Sequence, residues 1–139
     1  FKLNMLYITR REHFSASHTL RNDSLSETEN EKLFGKCNSF HGHNYYLEIT
    51  IKGEVDPVSG YVMDLKKLKG ILHERIIEKV DHKYLNEVDL FKNVNPTTEN
   101  MAVIFWNELK DILKGDLYEL YSVKLFETEK NSVIYKGNE

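Results

Sequence analysis

Cys37-Asn-Ser-Phe-His41-Gly-His43-Asn-Tyr45-Tyr-Leu47-Glu-Ile49-Thr-Ile51-Lys-Gly53 decides the reading of this chain. From His43 to Gly53 the run is β-branched and aromatic, which predicts a strand. If the strand includes residue 41, alternation sends His41, His43, Tyr45, Leu47 and Ile49 to one face. The two imidazoles then lie roughly 6.5–7 Å apart along the backbone, near enough to converge on one metal ion. Upstream, Phe14-Ser-Ala-Ser-His18 is a second short alternating segment that ends in a histidine. Three neutral histidines around Zn²⁺ leave the fourth tetrahedral position to water or substrate, the arrangement of a catalytic centre. A His-x-His pair also arises by chance, with each ring merely hydrogen-bonded in a strand, so the spacing alone leaves both readings open. His18, on a separate segment, supplies the third ligand. A single cysteine is more often a small buried hydrophobe than a catalyst. Cys37, however, falls between Gly35 and the histidines, in a predicted loop, which favours a reactive thiol.

Working outward, 139 residues form one domain, residues 1–139, large enough for a real core. The chain is 40% hydrophobic and 29% charged, ordinary for a soluble globular protein. Its net charge is −3 and its basic residues are scattered, which argues against nucleic acid as a main partner. No apolar stretch approaches the roughly 20 residues that span a membrane, and no signal-peptide pattern opens the chain. One cysteine permits no intrachain disulfide, which suits a reducing compartment and a cytoplasmic location. Residues 1 to 4 are read as a remnant or a flexible end.

The segment Leu3 to His18 reads as extended. Residues 21 to 36 form a polar excursion with a helical turn at Glu27 to Leu33, and this excursion delivers Cys37. Asp56-Pro-Val-Ser-Gly60 is a turn, followed by a short extended piece, Tyr61 to Met63. Asp64 caps an amphipathic helix with apolar positions Leu65, Leu68, Ile71, Leu72, Ile76 and Val80. Asn95-Pro-Thr-Thr-Glu99 starts a second helix, whose buried stripe is Ala102, Phe105, Trp106, Leu109, Ile112 and Leu113. Tyr118 to Thr128 and Ser132 to Tyr135 are two further strands. The order ββααββ predicts an α+β fold, an antiparallel four-stranded sheet with two helices on one face. Such a sheet has two open edges, which oligomerisation would hide.

Three further groups carry chemistry. Asp81-His82 follows the first long helix, where a carboxylate can poise an imidazole as a proton shuttle. Adjacent side chains need not touch, and a helix-terminal His⁺ facing the dipole explains the pair equally. Glu127 ends a strand, where it could accept hydrogen bonds from an amino group beside a ring N–H. Most such glutamates are merely solvated. Thr97-Thr98-Glu99 caps a helix without any other role. His13 and His73 fit no motif and are read as surface or structural.

Taken together, these segments resemble the 6-pyruvoyltetrahydropterin synthase family, and its animal members in particular. The resemblance runs from about Thr9 to Gly137. It rests on Phe14-Ser-Ala-Ser-His18, Phe34-Gly-Lys-Cys37, His41-Gly-His-Asn-Tyr45, Gly60-Tyr-Val-Met-Asp-Leu65, Asp81-His-Lys83, Thr97-Thr-Glu-Asn100, Glu127-Thr128 and Tyr135-Lys-Gly137. The resemblance implies a T-fold that assembles into a barrel-like trimer and a homohexamer built from two trimers, with sites at subunit interfaces. It implies one zinc per subunit on His18, His41 and His43, with Cys37 as general base and Asp81 and His82 as its proton relay. It assigns Glu127, helped by Thr97, Thr98 and Glu99, to the pterin ring. The implied reaction converts 7,8-dihydroneopterin triphosphate to 6-pyruvoyltetrahydropterin with loss of triphosphate, a carbon–oxygen lyase step in tetrahydrobiopterin biosynthesis. The triphosphate needs cations, for which Lys36, Arg10 and Arg11 are the candidates.

One departure stands out. Animal members carry five residues between the cysteine and the first histidine, whereas here only Asn38, Ser39 and Phe40 intervene. Three is the spacing of the related 6-carboxytetrahydropterin synthases, which take the same substrate, release acetaldehyde and serve the queuosine pathway. The shorter path removes about 6–7 Å of extended chain. A third reading is a non-catalytic paralogue that binds pterin or metal; a binder has no need of a proton relay.

Overall fold

A computed structural model describes residues 4–138. Residues 1–3, which include the predicted strand start at Leu3 and most of the segment read as a remnant, lie outside the described residues, as does residue 139.

Four strands form one antiparallel sheet in chain order: β1 (Met5–His18), β2 (His41–Glu54), β3 (Tyr118–Phe126) and β4 (Ser132–Tyr135). Alternation divides each strand between two environments. Glu12, Phe14, Ala16 and His18 of β1 are buried on the same face as Tyr45, Leu47, Ile49 and Ile51 of β2. A register shift at Thr50/Ile51 leaves Tyr121 as an extra residue in β3, so that Leu120 and Val123 both reach the core despite their odd spacing.

The helices cover that face. α1 (Glu27–Phe34) is the helical segment expected at Glu27 to Leu33, longer by one residue, and Ser26 and Glu29 close a reciprocal capping box at its start. Asp64 caps α2 (Leu65–Leu72), its side chain accepting from the Lys66 amide. This helix continues through a π-helical turn (His73–Ile77) into α3 (Glu78–Val80). The wider turn carries both Ile76 and Ile77 to the core beside Leu68, Leu72 and Val80. Thr97 caps α4 (Thr98–Leu109), which buries Met101, Ala102, Phe105 and Leu109.

The short piece Tyr61 to Met63 joins no sheet; the Asp56 amide donates to the Tyr61 carbonyl and closes the turn before it. The reading of the helix stripes changes. Leu65 is exposed, Trp106 is only partly buried, and Ile112 and Leu113 lie beyond the end of α4, although Leu113 is buried in the core. The predicted open edges are those of β1 and β4. The outer edge of β1 is covered at one end, where the chain after α3 runs beside it. There the His82 amide donates to Ser15 O at 2.6 Å and the Ser17 amide to Lys83 O at 3.0 Å.

Candidate active site

Antiparallel register places His18, the last residue of β1, directly opposite His41, the first of β2, with His43 facing Ala16. All three side chains point to the helix-covered face, as alternation requires. Ring centroids are 4.5 Å apart for His18–His41, 5.2 Å for His18–His43 and 5.0 Å for His41–His43. One ligand atom from each lies within 4.8 Å of the others.

Backbone carbonyls fix two of the tautomers. Nδ1 of His18 lies 2.9 Å from Pro96 O and Nδ1 of His41 lies 2.6 Å from Ser39 O. A carbonyl only accepts, so Nδ1 carries the proton in each ring and Nε2 keeps its lone pair. The Nε2 atoms of His18, His41 and His43 are all shielded from solvent and without a hydrogen-bond partner. Burial pushes His18 below its ordinary value, against the opposing pull of the Pro96 bond, and burial likewise lowers His43. Three neutral imidazoles with orphaned, convergent nitrogens suit a transition metal, and imidazole ligands serve zinc, copper, iron and nickel.

Glu127, just past the end of β3, joins this cluster to a second feature. Its Oε1 lies 3.7 Å from His43 Nε2, and its Oε2 accepts a 2.7 Å hydrogen bond from Thr98 Oγ1. Thr98, Glu99, Glu127, Asn131, Ser132 and Val133 line a cavity of about 230 Å³. Thr97 is engaged differently, since its hydroxyl accepts from the Asn100 amide as the helix cap. Asn131 and Ser132 were invisible to sequence reasoning because a polar hairpin turn carries no chemical signature of its own. The Pro96 and Ser39 carbonyls escaped it because backbone groups have no motif.

Cys37 is a free, half-buried thiol on a 3₁₀ turn, Gly35–Asn38. The turn is tied to the cluster from both sides. Cys37 O accepts from the Leu20 amide at 2.8 Å, two residues past His18, and Ser39 O holds His41.

Asp81 and His82 do touch. His82 Nδ1 lies 3.0 Å from Asp81 Oδ1, which also accepts from the Ser15 amide at 3.0 Å. That backbone bond, reinforced by His82, holds the Asp81 carboxyl below its ordinary range. His82 adopts a left-handed backbone (φ 60°) and its side chain is 82% exposed. A non-glycine residue in that region stores strain, which concentrates at functional sites. His82 lines a cavity of about 420 Å³ with Ser15, Ser17, Gly42, His43, Asn44 and Tyr84. Ser15, Ser17, Gly42 and Asn44 are the outward residues of β1 and β2, so His82 stands at the β1 edge and faces the outer side of the sheet, whereas the imidazole rings point to the helix-covered face.

Of the three candidate cations, Arg10 is committed to buried Glu12 at 2.8 Å, and Arg11 stacks 4.2 Å over Tyr46. Lys36 is exposed on the Cys37 turn.

The sequence matches the family described as 6-pyruvoyl tetrahydropterin synthase over residues 7–138. The chain belongs to that family. It is 49% identical over 131 residues to the 6-pyruvoyl tetrahydrobiopterin synthase of Dictyostelium discoideum, covering 94% of this chain and 95% of the relative. It is 48% identical over 133 residues to the human protein of the same description, covering 94% and 90%. The solved structure of Caenorhabditis elegans 6-pyruvoyl tetrahydropterin synthase superposes with a TM-score of 0.90 at 40% identity, covering 99% of each chain. Membership in the 6-pyruvoyl tetrahydropterin synthase family makes this a T-fold enzyme of pterin metabolism that acts on a small molecule. Among the described residues no helix is long and apolar enough to cross a membrane.

Proposed function

We propose that this chain is a zinc-dependent lyase that converts 7,8-dihydroneopterin triphosphate to 6-pyruvoyltetrahydropterin and triphosphate in tetrahydrobiopterin biosynthesis. The observation that carries the reading is the convergence of three shielded, partnerless Nε2 atoms beside the Glu127–Thr98 pair, in a chain of this family. His18, His41 and His43 hold the metal. Zinc bound there supplies a Lewis acid for the hydroxyl oxygens of the substrate side chain, which makes the neighbouring C–H more acidic. Glu127 receives the pterin ring at its amino and ring N–H groups, with the Thr98 hydroxyl orienting the carboxylate and Glu99 at the cavity wall. Thr97 acts through the helix cap that positions Thr98. Cys37 takes the side-chain proton, since a thiolate is favoured near a cation. Asp81 holds His82 in one orientation, and His82 carries protons in and out.

The outward facing of His82, while the imidazole rings face the helices, supports an interface site, in which one copy presents Asp81 and His82 to the Cys37 of its neighbour. The open edges of β1 and β4 support the same assembly, a homohexamer of two trimers. A lone free cysteine fits a cytoplasmic enzyme. The short Cys37–His41 connection favours a second reading, release of acetaldehyde to leave a 6-carboxy product. Incubating zinc-loaded protein with 7,8-dihydroneopterin triphosphate and following triphosphate release tests the reaction class. Stoichiometric release supports the lyase; an unchanged substrate refutes both catalytic readings.

A further inference from the structure

Among the described residues, five buried side-chain polar atoms lack a hydrogen-bond partner: Nε2 of His18, His41, His43 and His73, and Oδ1 of Asn38. The first three are the candidate metal ligands. His73 Nε2 lies 3.1 Å from the Glu12 carboxylate, which accounts for the fourth. Asn38 remains. The other asparagines that shape this end of the molecule are hydrogen-bonded. Asn30 Oδ1 accepts from the Asn22 amide, Asn86 Oδ1 from the Thr19 amide, Asn95 Oδ1 from the Arg21 amide, and Asn44 Oδ1 from the Ser15 hydroxyl. A shielded amide oxygen with no donor costs stability, and a donor from outside this chain would relieve that cost.

Its place in the fold says which partner. Asn38 closes the 3₁₀ turn that carries Cys37, and the next carbonyl, Ser39 O, fixes the tautomer of His41. It therefore lies along the chain between the candidate base and a candidate metal ligand. A ligand that engages both spans this turn, and a reacting side chain bearing hydroxyls is a row of donors. The Asn38 amide makes no hydrogen bond, so a side-chain rotation toward a ligand breaks none.

We propose that Asn38 is a substrate-positioning residue, whose side-chain amide accepts a hydrogen bond from a hydroxyl of the polyol side chain on the dihydropterin. This rests on the pterin reading above and adds the residue that registers the reacting side chain on the Cys37 turn. An acceptor relieved only in the complex trades stability of the free protein for binding.

The test compares zinc-loaded wild type with Asn38→Ala and Asn38→Asp by calorimetry. The two probes are 7,8-dihydroneopterin, which carries the polyol, and 7,8-dihydropterin, which has no side chain. Thermal midpoints of the ligand-free proteins are read in parallel. The expected result for Asn38→Ala is roughly tenfold weaker binding of the polyol pterin, affinity for the bare pterin within about twofold, and an unchanged or raised midpoint. Asn38→Asp, which keeps an acceptor of the same shape, stays within about threefold of wild type on both. Equal losses on both pterins, no loss on the polyol pterin, or a loss in Asn38→Asp as large as in Asn38→Ala would overturn the assignment. A midpoint lowered by several degrees, or failure of Asn38→Ala to fold, would overturn it too, because the amide would then be holding the turn. Wild type that binds neither pterin would instead refute the pterin reading itself.

Discussion

The imidazole of His18 donates its Nδ1–H to the carbonyl oxygen of Pro96, 2.9 Å away in the loop before α4. A strand end and a helix start thereby agree on one tautomer, and the Nε2 lone pair of a fully buried ring is aimed at His41 and His43. Outer-shell bonds of this kind orient metal ligands and raise their basicity.

His41→Ala removes one of the three candidate ligands at a partly exposed strand end. The variant should fold and lose stoichiometric zinc, falling from about one metal per chain toward zero by elemental analysis. Full metal content in His41→Ala would remove that residue from the ligand set.

Glu127 and Thr98 share a 2.7 Å hydrogen bond at the cavity wall. Glu127→Ala should weaken binding of a dihydropterin by about 2–3 kcal/mol, or 30- to 150-fold, as expected for losing charge-assisted bonds. Thr98→Val keeps the shape, removes the orienting donor and should cost less, about 1 kcal/mol. Fluorescence titration of both variants decides this, and a Thr98→Val effect larger than that of Glu127→Ala would reverse the roles.

Cys37→Ala leaves the turn's backbone bonds to Leu20 intact. Zinc content and pterin affinity should stay near wild type while turnover falls by two or more orders of magnitude. Turnover at the wild-type rate would show that another group takes the proton.

Acid should destabilise the metal-free protein through His18. Burial lowers its folded value below the ordinary 6.5, so the unfolded chain binds the proton first. Stability is then fully present above pH 6.5 and is lost as the pH falls below that value. The burial of His43 acts in the same direction. Urea titrations of the metal-stripped protein between pH 8 and pH 5 should show a declining midpoint below 6.5, and a flat profile would contradict the assignment. With metal bound the decline should move to lower pH, because protons must displace the ligand bonds.

Much of this was legible in the sequence because periodicity carries burial. His43 to Gly53 alternates, and alternation alone put His41 and His43 on the face of Tyr45 and Leu47. Asp64 and Thr97 announced their helices by capping chemistry. The π-helical turn at His73–Ile77 was not legible, since Leu68, Leu72, Ile76 and Val80 fit an ordinary helix equally well. The bounds of α1 were legible to within one residue, but what holds it was not: Asn30, a fully buried amide, binds the Asn22, Leu25 and Ser26 carbonyls. The site divided along the same line. The convergence of His18, His41 and His43 showed in their spacing, whereas the carbonyls of Pro96 and Ser39 that set the tautomers leave no trace in residue types. That His82 faces the outer side of the sheet while the three imidazole rings face the helices is likewise a property of the sheet's two faces, which a linear reading does not show.

Mass spectrometry of the pterin formed from 7,8-dihydroneopterin triphosphate by the zinc-loaded protein decides the reaction. An intact three-carbon pyruvoyl side chain with triphosphate released is expected. A carboxyl side chain accompanied by acetaldehyde would contradict the pyruvoyl reading, and would mean that the short connection from Cys37 to His41, rather than the rest of the chain, sets the chemistry.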